Sequence, residues 1–273
     1  MFLHPTQLDK DKTTFTLNKQ NDTLVINILK DSLQPEFNFR GKYSIFQQIK
    51  VKSHLFKSAS GNTINGWMIQ PDKKEIKATI LFYHGNAGCL ISQFTLMIPF
   101  VAKGYQVFII DYSGFGYSNG KATKSNVLLD GLSAVDYLQN LNSIKKRPLI
   151  IYGQSLGGHL AVVVAGKKQS SINALVIEGA FSSHKDIAAS RFGILGRLLV
   201  NEQYSAKKSI QNFKKPVLII HSNEDKVVPF NEGKLLFSKA NEPKEFFEIN
   251  KCHICGPLFY ADEIEQKMYE MIR

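Results

Sequence analysis

The chain has 273 residues, 44% of them hydrophobic and 21% charged, an ordinary globular composition that excludes a disordered, fibrous or low-complexity protein. Lys and Arg number 34 against 23 Asp and Glu, a net charge of +11. The basic clusters (Lys145 to Arg147, Lys167-Lys168, Lys207-Lys208, Lys214-Lys215) are scattered between elements without interleaved aromatics, so no nucleic-acid partner is expected.

No stretch approaches the roughly 20 apolar residues of a membrane span, so stable membrane insertion is not expected, and Met1 to Lys10 lacks the basic and apolar regions of a signal peptide. The expected location is the cytoplasm; the alternative is a membrane-tethered or exported protein from which an N-terminal segment has been removed. Three cysteines, Cys89, Cys252 and Cys255, cannot build a disulfide framework in a chain of this size and fit a reducing compartment. Whether Cys252 and Cys255 pair is open, and a zinc site there lacks a second ligand pair at matching spacing.

Residues 13 to 18 and 23 to 29 alternate around the turn-forming Lys19-Gln20-Asn21-Asp22, as a hairpin does. This hairpin could extend a sheet edge, cover the core or contact another subunit. Residues 47 to 56 and 63 to 69 repeat the pattern around Ser60-Gly61-Asn62. From residue 77 the texture changes to short apolar runs at 78 to 83, 106 to 111, 148 to 152, 174 to 178, 216 to 221 and 244 to 249. Helical stretches near 90 to 102, 124 to 140, 156 to 167, 230 to 240 and 258 to 272 fill the intervals. Such alternation predicts one α/β domain over 1–273, with a mostly parallel central sheet, helices on both faces and antiparallel strands at the N-terminus. The interval 180–213 is too long for a simple crossover; with Phe192, Ile194, Leu195, Leu198, Leu199 and Val200 it reads as a short helical cap or lid.

Ligands of open parallel sheets bind beyond the carboxyl ends of the strands. After the run 148 to 152 comes Gly153-Gln154-Ser155-Leu156-Gly157-Gly158, a G-x-S-x-G motif between a strand and a helix, which makes Ser155 the candidate nucleophile. A serine hydroxyl needs a base and a group that orients that base. Asp225 follows the run 216 to 221 and His253 follows the last run, giving the chain order Ser, Asp, His. Glu224 competes with Asp225 but lies farther from the stretch Lys226-Val227-Val228-Pro229 that leads into the next helix. His84 and His221 also stand at strand ends, whereas His4, His54, His159 and His184 read as surface or packing residues. Donors for an oxyanion are expected from the Leu156 N–H and from the loop His84-Gly85-Asn86-Ala87-Gly88, through the Asn86 N–H or that of Ala87.

These segments, together with Asp111-Tyr112-Ser113-Gly114-Phe115-Gly116-Tyr117-Ser118-Asn119-Gly120 and Glu178-Gly179-Ala180-Phe181-Ser182-Ser183, resemble the α/β-hydrolase superfamily over roughly residues 40 to 273. The resemblance is strongest to its short-capped group, which includes acyl-protein depalmitoylases. The sequence departs from the common pattern at Ser113, at Ser222 and beside His253, which lies between Cys252 and Ile254. The resemblance implies a carboxylesterase-type serine hydrolase with the fold of that superfamily, acting without cofactor or metal on a small-molecule or lipid-like acyl ester. Thioester cleavage, as in depalmitoylation, and aminopeptidase action are the alternatives within the same chemistry. A catalytically silent binding protein is the alternative outside it. Oligomeric state is not legible.

Overall fold

In the computed structural model, residues 3–19, 22–40 and 43–273 are described. The turn expected at Lys19 to Asp22 centres on residues 20 and 21, outside that set. Strands β1 (Thr14–Lys19), β2 (Asp22–Ile28) and β3 (Pro35–Arg40) form an antiparallel three-stranded sheet. β3 adds to the strands predicted from the sequence, and its Phe37 and Phe39 alternate with polar residues. A second sheet takes β4 (Ile49–Lys57), β5 (Thr63–Pro71), β6 (Ala78–Tyr83), β7 (Tyr105–Ile110), β8 (Leu149–Gln154), β9 (Ala174–Glu178), β10 (Val217–Ser222) and β11 (Lys244–Ile249). Its order is β11-β10-β9-β8-β6-β7-β5-β4, parallel from β11 to β7 and antiparallel at β5 and β4.

The helices are α1 (Leu90–Gln93), α2 (Ile98–Ala102), α3 (Lys124–Asn140), α4 (Leu156–Lys168), α5 (His184–Leu199), α6 (Ala206–Ser209), α7 (Phe230–Lys239), α8 (Gly256–Phe259) and α9 (Ala261–Glu270). The single helix expected over 90 to 102 is two short ones joined by a 3-10 turn at 94–97, with Pro99 in the first turn of α2. A proline there lacks only an N–H that has no intrahelical acceptor, so it starts a helix more easily than it continues one. The stretch expected over 258 to 272 likewise divides into α8 and α9 at Tyr260.

Side chains alternate along the parallel strands, and the two sets feed separate cores. Leu81, Phe108, Ile151, Leu175 and Ile219 pack with Ala134 of α3, Leu160 of α4 and Leu236 of α7. Ile80, Val107, Ile150, Val176 and Leu218 pack on the other face with Leu90, Val101 and Ile264 of α1, α2 and α9. Leu24, Ile26 and Ile28, every second residue of β2, join this second core beside Trp67 and Phe94. The Trp67 ring stands edge-on to Phe37 of β3, with centroids 6.1 Å apart. Of the roles open to the N-terminal hairpin, the structure gives it the covering of the core.

Strand order reverses between β6 and β8, because the chain leaves β6 for β7 on one side and returns to β8 on the other. The carboxyl ends of β6 and β8 therefore open a crevice, the place where sheets of this kind hold ligands. Replacing the fully buried Ile26 by Ala leaves a cavity between the two sheets and should cost about 2–4 kcal/mol of unfolding free energy. Urea titration followed by the fluorescence of Trp67, the single tryptophan, measures it; an unchanged midpoint would mean that the small sheet is not part of the cooperative core.

Candidate functional site

Ser155 stands between β8 and α4 with φ 54° and ψ −115°. A positive φ costs a residue with a Cβ about 1–3 kcal/mol and persists only where its surroundings over-determine it. Here the Ser155 N–H donates to the Glu178 carbonyl at 2.9 Å, and the His159 N–H donates back to the Ser155 carbonyl at 3.1 Å. The flanking glycines are sterically required: a Cβ on Gly157 would overlap the Tyr83 carbonyl, and one on Gly153 would overlap the carbonyl of Gly157. The Leu156 N–H opens α4 and so has no acceptor within the helix.

Beside Ser155 runs the loop after β6. A Cβ on Gly85 would lie 3.7 Å from the Ser155 Cβ. Gln93 braces this loop, accepting the Gly85 N–H at 3.1 Å and donating to the Ala87 carbonyl. The Asn86 Oδ1 accepts the His4 N–H at 3.0 Å. The N-terminal segment continues past the site, where Leu8 N–H and Gly116 N–H bond to the Gly116 and Thr6 carbonyls. Leu156, Phe181, Ile187 and Val228 form a small buried apolar cluster, against which Leu3 packs.

Asp225 follows β10, and its side chain is fully buried. Oδ1 accepts the N–H groups of Val227 and Val228 at 2.7 and 2.9 Å, and Oδ2 accepts the Nδ1–H of His253 at 2.6 Å. The Nε2 of His221 is 3.4 Å from the same Oδ2. Burial alone would raise this carboxyl; hydrogen bonds from His221 and His253, the charge of His253 and the Val228 N–H outweigh it and hold the group well below the usual carboxylate range. The bond through Nδ1 leaves Nε2 of His253 as the basic nitrogen; it is buried and accepts no hydrogen bond in the structure.

Glu178, at the end of β9, ties the pieces together. The fully buried carboxylate accepts the Tyr152 hydroxyl at 2.9 Å and the Gln154 Nε2 at 2.7 Å on one oxygen, and the Gly256 N–H at 2.6 Å on the other. Gln154 also donates to the Ile254 carbonyl at 3.2 Å, and the Ser222 hydroxyl donates to that of Lys251. The histidine loop is thus anchored on both sides of His253, and Cys252 and Cys255 close it further as a disulfide. The sequence leaves this pairing open; Cys89 is free and buried. A Cβ on Gly179 would sit 3.0 Å from the His253 ring, which places that ring against the peptide that holds Ser155. Burial pushes the Glu178 carboxyl up, against the bonds from Gln154, Gly256 and Tyr152.

The residues singled out in the sequence, Ser155, Leu156, Asn86, Ala87, Asp225 and His253, therefore gather at the crevice of β6, β8, β9 and β10. Gln93, Gln154 and Glu178 join it without being candidates in the sequence; of these, only Glu178 carries a signal, as an acid closing an apolar strand. His221, one of the two histidines that the sequence places at strand ends, stands behind Asp225, with Nε2 3.4 Å from Oδ2.

The profile described as alpha/beta hydrolase fold matches residues 78–191, and that of acetyl xylan esterase matches residues 22–127. The chain is 31% identical over 210 residues to an uncharacterized protein, YfhR, of Salmonella typhi, covering 72% of each. It is 30% identical over 205 residues to the human alpha/beta hydrolase domain-containing protein 17B, covering 75% of this chain and 69% of that one. The chain belongs to the α/β-hydrolase superfamily. An esterase of Pyrococcus furiosus shares the fold of this α/β-hydrolase with a TM-score of 0.68 at 16% identity, over 85% of this chain and 95% of the other.

Two predictions concern the site's framework. Glu178→Gln sets an amide N–H2 against a site that presents three donors, leaving at least one buried donor unpaired. Unfolding free energy should fall by about 1–3 kcal/mol and amide exchange at 252–256 should accelerate; unchanged exchange would mean that Glu178 does not hold the loop. The second concerns pH. Burial pushes His84 and His159 down to about 4, and His184 further. These imidazoles bind protons near 6.5 when unfolded, so acidification from about pH 6.5 to 4 favours the unfolded chain by about 1.4 kcal/mol per pH unit per group. Asp111, pushed up to about 6 by burial, and Glu178, also pushed up, oppose this; the three histidines, joined by His54, which burial also lowers, outweigh them. Stability should be greatest above about pH 6.5 and fall toward pH 4; a flat or rising profile in thermal denaturation would contradict the buried neutral imidazoles.

Proposed function

We propose that this α/β-hydrolase is a serine esterase that cleaves carboxylic esters through an acyl-enzyme on Ser155. The observation that carries the reading is the Asp225–His253 hydrogen bond, which leaves Nε2 buried and unbonded on a ring that packs against Gly179, next to the Glu178 carbonyl that holds the strained Ser155. His253 takes the Ser155 proton through Nε2, and the Oγ attacks the ester carbonyl. The N–H groups of Leu156 and Asn86, or of Ala87 in place of Asn86, receive the oxyanion. The brace of Gln93 on this loop favours the role, since donors fixed in advance need no reorganisation as charge develops. Collapse of the tetrahedral species expels the alcohol with a proton from His253. Water then gives its proton to His253, its oxygen adds to the acyl carbon, and the acid leaves as the proton returns to Ser155. Asp225 stabilises the imidazolium at both stages.

The ester specificity is supported by the acetyl xylan esterase profile. Leu156, Phe181, Ile187 and Val228 pack together as a buried apolar wall behind the residue after Ser155; long-chain thioesters, whose acyl group such a wall would border, are the second reading. Residues 180–213 act in this scheme as the cap: they follow β9, and Ile187 of α5 packs in one cluster with Leu156, the residue after the nucleophile.

A fluorophosphonate probe followed by peptide mapping should label Ser155 alone. Ser155→Ala should lower kcat for p-nitrophenyl acetate by at least about a thousandfold while leaving the melting transition in place. Full labelling of that variant would put the nucleophile elsewhere. Activity against p-nitrophenyl and thioester substrates of rising acyl length separates the two readings.

A further inference from the structure

Helix α5 breaks at Gly193, whose φ of 64° and ψ of −157° are not helical. Its first half is seated: Ile187 and Ala188 are buried, and the Ser183 hydroxyl caps it by accepting the Asp186 N–H at 2.9 Å. Its second half turns back on the first. A Cβ on Gly196 would collide with the Ala188 carbonyl, and Arg197 reaches Asp186 at 2.9 Å. The outcome is a helical hairpin with its apolar residues outward. Phe192, Ile194, Leu195, Leu198 and Leu199 are between 68% and 86% exposed, the largest group of such side chains along one short segment among the described residues. A contiguous exposed apolar patch of this kind marks a contact surface.

Charge decides between occupants. The segment 180–213 carries Lys185, Arg191, Arg197, Lys207 and Lys208 against Asp186 and Glu202, within a chain of net charge +11. Lys207 and Arg197 already satisfy Asp186. Two copies meeting through the hairpin would bring like charge together around the apolar centre, whereas an anionic bilayer offers hydrocarbon to the leucines and phosphate to the rim. Aromatic and aliphatic residues on one face with basic residues beside them describe a helix that lies in the headgroup region of one leaflet. No helix among the described residues is long and apolar enough to cross a membrane.

We propose that the second half of α5, residues 192–199, is a docking surface for anionic phospholipid bilayers, holding the protein peripherally. The proposal concerns binding and does not depend on the reaction at Ser155.

The test is co-sedimentation of the full chain with vesicles of phosphatidylcholine, with and without phosphatidylserine, at low and high salt. Wild-type protein should partition onto the phosphatidylserine vesicles, more weakly at high salt. The variant carrying Leu195→Ser, Leu198→Ser and Leu199→Ser should lose at least about tenfold in partitioning. Because these side chains face solvent, that variant should keep its circular dichroism and melting temperature, which separates lost docking from lost fold. Equal binding by the two proteins, or no wild-type binding at low salt, would overturn the proposal. So would a concentration-dependent dimer that the triple variant abolishes while vesicles stay unbound, an outcome that assigns the patch to a second copy.

Discussion

The arrangement depends on how closely helix α4 approaches strand β6. Gly157 lies against the Tyr83 carbonyl with no room for a Cβ, and this approach lets the chain reverse from strand to helix within one residue. The reversal forces Ser155 to a positive φ and lifts it to the rim of the sheet, where the loop after β6 passes. Any side chain at Gly157 would push α4 away and relax the turn, and the serine would then sit at the start of an ordinary helix. The strain is held by hydrogen bonds to β9 and to the first turn of α4, so two neighbouring elements oppose its release.

Around this turn the protein uses two buried carboxylates in opposite ways. Asp225 receives an imidazole N–H and two main-chain N–H groups, which keep it ionised despite burial. Glu178 receives a hydroxyl, an amide and a main-chain N–H, no partner among these being a full charge, and burial drives its carboxyl up. One carboxylate holds the histidine ring and the other holds the backbone of its loop at Gly256. Orientation of the ring and position of its loop are thus secured by separate groups.

Much of this was legible in the residues because strand ends are legible. Apolar runs end abruptly, and Ser155, Asp225 and His253 each follow one; α3 matched its expected span, with Thr123 capping its first turn. What escaped depended on distance in sequence. Nothing around Gln93 indicates that it will clamp Gly85 and Ala87, and nothing near residue 3 indicates that the chain will pass Asn86. The third strand escaped differently: Phe37 and Phe39 alternate as a strand should, but Pro35 and the short span hide the pattern. The helix breaks at 94–97 and at Tyr260 were hidden in a similar way, since apolar spacing continues through them while the backbone does not.

The disulfide between Cys252 and Cys255 encloses only His253 and Ile254. A ring so small removes little freedom from the unfolded chain, so its contribution to global stability is modest; its effect is on the local path of the backbone around one imidazole. The Gly256, Ile254 and Lys251 anchors remain when the ring is opened. Opening the ring therefore touches the course of one short loop and leaves in place the bonds that join that loop to β8, β9 and β10.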